Sequence, residues 1–107
     1  MNWQYEKNRI YALDDKKELL AEITFISKSD NEVVIDHTYV NPSLRGQGVA
    51  GKMMEVMMLY LQENNLKTTA TCSYADSWLE KNKERFQELI ANKDVEQTVA
   101  CKLNAKY

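Results

Sequence analysis

The sequence has little that bends, crosslinks or ligates: three glycines, one proline, two cysteines and one histidine in 107 residues. Two cysteines, Cys72 and Cys101, do not make a disulfide framework. A single histidine among scattered carboxylates offers no ligand cluster for a metal. The longest apolar run, Val56 to Leu61, is six residues, against the ~20 that a bilayer requires, so no membrane partner is expected. The start, Met1-Asn2-Trp3-Gln4-Tyr5-Glu6, lacks the apolar stretch of an export signal. Both thiols are therefore expected free, in a reducing, cytoplasmic setting. Neither sign of charge dominates: 14 basic and 16 acidic side chains leave −2, no footprint for nucleic acid. What remains is ordinary globular composition, with no repeat or low-complexity tract. Residues 1–107 are expected to form one domain around one core.

The chain divides by hydrophobic period. Arg9 to Leu13 alternates and predicts a strand, ended by the turn Asp14-Asp15-Lys16-Lys17. From Glu18 to Lys28, Leu19, Ala21, Ile23 and Phe25 oppose Leu20, Glu22, Thr24 and Ile26, a second strand with one apolar face. After the turn Ser29-Asp30-Asn31, the β-branched run Glu32 to Val40 predicts a third. Asn41-Pro42-Ser43-Leu44 breaks it. Gly48 to Asn64 then carries Val49, Met53, Val56, Met57, Tyr60 and Leu61 at spacings of three and four, a helix. Met54, Met58 and Leu59 widen its apolar face, and the methionines read as core filling. Leu66 to Cys72 predicts a strand parallel to the third, reached by a crossover through the helix. Ser73-Tyr74-Ala75-Asp76 resembles a capping box opening a helix through Trp78 and Leu79. Lys83 to Ala91 predicts further helix, and Lys93 to Tyr107, with Cys101, is ambiguous. The fold class is α+β: an antiparallel meander, a strand–helix–strand unit with a parallel pair, and C-terminal helices.

All three glycines cluster at Gly46, Gly48 and Gly51, and Arg45-Gly46-Gln47-Gly48-Val49-Ala50 falls between a strand end and a helix start. Glycines there let backbone approach a ligand, and N–H groups of the first helical turn favour phosphate. A tight turn into a helix is the plain alternative. Gly46, four residues, then Gly51-Lys52 also begins a P-loop, but Met53 replaces the Ser or Thr that would hold Mg²⁺.

Arg45, Gly48 and Ala50, after Val40-Asn41-Pro42, resemble motif A of the GCN5-related N-acetyltransferases. Asp36-His37-Thr38-Tyr39-Val40 and Thr71-Cys72-Ser73-Tyr74-Ala75 are further similar to a group of very small, truncated members. The resemblance implies the acetyltransferase fold, acetyl-CoA as co-substrate, no metal, and transfer to a small-molecule or peptide amine. It implies pyrophosphate on the backbone of Arg45, Gly46, Gln47, Gly48, Val49, Ala50 and Gly51. It places the pantetheine arm along Thr38, Tyr39 and Val40, and the thioester between that strand and Leu66–Cys72. The same loop would serve a non-catalytic coenzyme A or acyl-CoA-binding module, the alternative function. The oligomeric state is open.

Cys72 precedes a helix N-terminus, which favours thiolate. His37 lies on the neighbouring strand. If both face the thioester, Cys72 is the nucleophile and His37 its base. The plain readings are a small core cysteine and a hydrogen-bonded structural histidine. Direct transfer instead calls on Tyr74 as acid and Asp36 or Glu32 as base, and alternation alone does not decide which face these residues take.

Overall fold

The computed structural model describes residues 1–91. Five strands lie side by side in sequence order: β1 (Trp3–Glu6), β2 (Arg9–Leu13), β3 (Leu19–Ser29), β4 (Glu32–Val40) and β5 (Lys67–Ala70). Neighbours through β4 are antiparallel, and β4 with β5 is parallel. The short turns of the meander are built locally. Asn8, at φ 63°, turns β1 into β2, a conformation asparagine tolerates better than most residues. The Asp14 carboxylate accepts the N–H groups of Lys16 and Glu18, both at 2.8 Å, and holds the next turn. The strand β1 is additional to the sequence reading, because four residues carry too short an alternation to register.

Alternation puts Ile10, Ala12, Ala21, Ile23, Phe25, Val33 and Ile35 on one face, where all are buried. Helix α1 (Val49–Glu63) covers that face with Met53, Met54, Met57, Met58 and Leu61, all essentially inaccessible. The methionines are core, as their spacing predicts. Leu59 departs from the expected wide face: it is 58% exposed, because the sheet lies on one side of α1 only. Helix α2 (Ser73–Lys81) adds Ala75 and Leu79 to the same cluster. The other face of the sheet carries Arg9, Tyr11, Glu22, Thr24, His37 and Tyr39 and has no helix on it among the described residues. The architecture is two layers, helices over one face of a mixed sheet.

The helix expected over Lys83–Ala91 is not formed. Residues 82–89 make successive turns, and Ile90 bridges to Thr68 of β5. Asn82 closes α2: its N–H and its side-chain amide both reach the Trp78 carbonyl, at 3.0 and 2.9 Å. The following backbone then pairs with the edge of β5, Thr68 N–H donating to Leu89 and Ala91 N–H to Thr68. Phe86, Leu89 and Ile90 still pack on the core, so their spacing signals burial and not helix. The stretch Lys93–Tyr107, with Cys101, lies outside the described residues. Among the described residues, no helix is long and apolar enough to cross a membrane.

Candidate active site

Strand β4 outruns its parallel partner. Pairing begins at Glu32 with Lys67 and ends at Ile35 with Ala70. The N–H groups of Thr71 and Cys72 then both turn to the Ile35 carbonyl, at 2.9 and 3.3 Å, and the chain enters α2. Asp36 to Val40 continues with β3 on one side and, among the described residues, no strand partner on the other. The start of α2 lies at this free edge. Beyond Val40 follow Asn41, the 3₁₀ turn Pro42–Leu44 and the loop into α1.

A bulge sets which side chains face the opening. Phe25 of β3 pairs with Ile35, and the next residue back, Thr24, pairs with His37, so Asp36 is extra. An unbroken period of two from Val33 and Ile35 would carry His37 to the helix-covered face. The extra residue reverses this. Thr38 and Val40 align with the buried Ile23 and Ala21, while His37 and Tyr39 align with Thr24 and Glu22 on the outer face. The Thr24 hydroxyl donates to the Asp36 carboxylate at 2.7 Å and ties down the bulge.

Cys72 and His37, expected together, therefore serve opposite faces of β4. The Cys72 sulfur lies 3.3 Å from the Thr38 hydroxyl. His37 Nε2 lies 3.6 Å from a Glu22 carboxylate oxygen, and its side chain is 53% exposed. Glu22 in turn receives a short hydrogen bond from Arg9, 2.5 Å, so the outer face carries an Arg9–Glu22–His37 row across three strands. Arg9 also stacks over the Tyr11 ring.

Cys72 is the N-cap residue of α2; Ser73 is already helical, so the expected capping box, which needs Ser73 at the cap, is not formed. No side chain closes this cap with a hydrogen bond, but the first-turn N–H groups of Tyr74 and Ala75 act on the sulfur. Partial burial raises the thiol's pKa. The Thr38 hydroxyl, these two N–H groups and that of Thr38 outweigh it, and the thiol sits below its ordinary value. Tyr74 is 40% exposed, and burial pushes its phenol up. Glu32, the other carboxylate considered, pairs with Lys28 at the far end of β4.

The loop before α1 is shaped by glycine. Gly46 at φ 81° and Gly48 at φ 74° stand in the left-handed region, and a Cβ at either would meet nothing within 4 Å. Gly48 caps the N-terminus of the 15-residue α1, whose first turn carries no acidic residue. The first-turn N–H groups have no intrahelical partner, the property that an anion site at a helix start uses. Gly51 lies within the helix, beside the Trp78 indole. A separate hollow of about 220 Å³ lies beside β5, lined by Thr69, Ala70, Leu79 and Ile90; it includes neither Cys72 nor the glycine loop.

Residues 9–89 match the family model described as GCN5-related N-acetyl-transferase. The chain belongs to the GCN5-related N-acetyltransferase family. A GCN5-like protein from Staphylococcus aureus, solved by NMR, is 37% identical over 88% of this chain and 91% of its own, with a TM-score of 0.71. Tetrahymena GCN5 shares the fold at 15% identity and TM-score 0.55, over 80% of this chain and 64% of its own. A GNAT-family acetyltransferase from Staphylococcus aureus Mu50 does so at 14% and 0.57, over 69% of this chain and half of its own. No curated protein matches in sequence. This acetyltransferase domain thus spans half to two thirds of those larger structures.

Within this acetyltransferase, the sequence-predicted coenzyme residues divide by position. Arg45 to Gly48 form an exposed loop, and Val49 to Gly51, buried or half-buried, the first turn of α1; Thr38, Tyr39 and Val40 form the free edge of β4. Sequence reasoning missed Thr38 as the partner of Cys72, and Glu22 as the partner of His37. No signal in the sequence marked the Thr38 contact, because it depends on the extra residue at Asp36 that exchanges the faces of the residues after it.

Proposed function

We propose that this acetyltransferase binds acetyl-CoA and passes its acetyl group through Cys72 to an amine. The supporting observation is the placement of Cys72: a thiol with lowered pKa, at a helix start, beside the free edge of β4. The loop 45–51 would hold the coenzyme's phosphates on backbone N–H groups, and the backbone of Thr38 to Val40 would pair with the extended pantetheine arm. The bound co-substrate supplies an activated acetyl group.

The Cys72 thiolate attacks the thioester carbonyl carbon. A new S–C bond forms, the bond to the coenzyme sulfur breaks, and coenzyme A leaves as a thiolate that takes a proton from solvent. An amine then attacks the acetyl-cysteine, the Cys72 S–C bond breaks, and the amide forms. The amine's surplus proton goes to His37. This assignment differs from a Cys72–His37 pair, because His37 faces the outer side of β4: the acceptor would reach the acetyl-cysteine from that side, around the strand's free edge, and pass His37 on the way. A free thiol in this role suits a reducing, cytoplasmic compartment.

A second reading, direct transfer from thioester to amine, is favoured by the placement of Tyr74 in the first turn of α2, two residues after Cys72, where its phenol is a protonated donor at neutral pH. Intact-mass spectrometry after incubation with acetyl-CoA separates the two. A gain of about 42 Da on Cys72 is expected from one acetyl group. Stabilisation by coenzyme A without an adduct would leave direct transfer or a coenzyme-binding module. Neither signal would reduce the glycine loop to a structural turn.

A further inference from the structure

We propose that Thr38 is a positioning residue for Cys72, its hydroxyl holding the sulfur at the free edge of β4. The inference rests on the reading of Cys72 as the acylated residue, and adds the side chain that prepares it.

The strand face makes the case. On the helix-covered side, β4 presents Val33, Ile35, Thr38 and Val40. Three are aliphatic, and valine at 38 would continue the pattern at the same side-chain size. Threonine there brings a hydroxyl toward an apolar layer, beside the fully buried Ile23. Thr38 is half-buried, so its hydroxyl is partly withdrawn from water and gains from a protein partner. The partner in the structure is the Cys72 sulfur, 3.3 Å away and 34 positions later in the chain. The β-branched side chain restricts χ1, so the oxygen is held in place.

The position of the pair matters as much as its geometry. The contact lies where β5 has left the sheet and β4 runs on unpaired. A ligand that pairs with that edge would pass within reach of the sulfur. The bulge at Asp36 is what turns residue 38 inward here. A hydroxyl also serves both charge states. It accepts from the thiol and donates to the thiolate, and the bond to the charged form is the stronger. The hydroxyl thereby favours the nucleophilic form without itself changing charge.

The test uses Thr38→Val and Thr38→Ser in the full chain, with Cys101→Ala so that one thiol reports. Iodoacetamide alkylation of Cys72 is followed by intact mass across pH, with no coenzyme present, and acylation by acetyl-CoA is timed separately. Thr38→Val should move the alkylation profile to higher pH and slow alkylation at neutral pH by roughly three- to tenfold. Thr38→Ser should return the profile toward wild type, which a packing effect would not do. Superimposable profiles for wild type and Thr38→Val would overturn the inference, as would a shifted profile that serine does not restore. If the profile shifts and serine restores it, but acetyl-CoA acylates neither protein, Thr38 holds and the acetyl-cysteine reading falls.

Discussion

Thr38 and Cys72 meet across the end of the parallel strand pair, hydroxyl to sulfur at 3.3 Å. Neither residue's own segment dictates the contact. It needs β5 to end at Ala70, α2 to start at Ser73, and one extra residue in β4 at Asp36. The same extra residue turns His37 away, toward Glu22.

That separation gives different expectations for the two half-reactions. His37→Ala should leave the rate of acetyl-Cys72 formation within about twofold of wild type, since the ring faces the other side of β4. Loss of acetyl from the acylated protein to ethylenediamine, a probe amine, should slow by about 10²-fold or more. Equal slowing of both steps, read by time-resolved intact mass, would return His37 to the thiol.

The two loop glycines and the helical one should respond with opposite sign. Gly48→Ala forces a side chain into a left-handed backbone and should cost about 1 kcal/mol of stability, although the space is open. Gly51 has no such constraint, and a Cβ there meets the Trp78 indole at ordinary contact, 3.9 Å. Gly51→Ala should stabilise the protein by about 0.5–1 kcal/mol through helix propensity. Urea unfolding of both variants checks the pair.

Met57 sits at the centre of α1 with no exposed surface. Met57→Ala should destabilise by about 2–5 kcal/mol, the transfer loss plus the cavity left under the helix. An exposed counterpart, Leu59→Ala, should change the urea midpoint little.

The depressed thiol also links stability to pH. Cys72 loses its proton more readily in the fold than in the unfolded chain, whose value is the ordinary 9.0. The extra stability is therefore full above pH 9.0 and fades as pH falls through the lower folded value. Cys72→Ser should flatten that part of the stability profile. An unchanged slope between neutral pH and pH 9, followed by urea unfolding, would contradict the sign.

Much of the frame was legible because period and residue type agreed. Arg9–Leu13 begins and ends where alternation does, and Glu32–Val40 where the β-branched run does. The methionine spacing gave α1 and its buried side. Two features were not legible. The turns over residues 82–89 keep apolar residues three and four apart because that spacing also lets irregular backbone press one side onto a core. The bulge leaves no mark in composition. Asp36 is an ordinary strand-edge residue, yet its insertion exchanges the faces of every residue from His37 to Val40. The glycine loop was readable as a ligand-facing turn, and the pairing of Cys72 was not, since it depends on that exchange.

The sheet's connectivity has a kinetic side. Strands β1 to β4 are joined by hairpins a few residues long, so their contacts close early and locally. The β4–β5 pair waits for the whole of α1 to form between them, and then rests on only four register positions. Loop-closure entropy falls there, and sub-global opening should begin there. Amide exchange would find the site's edge among the quickest to breathe, so that entry of a long coenzyme arm needs no separate hinge.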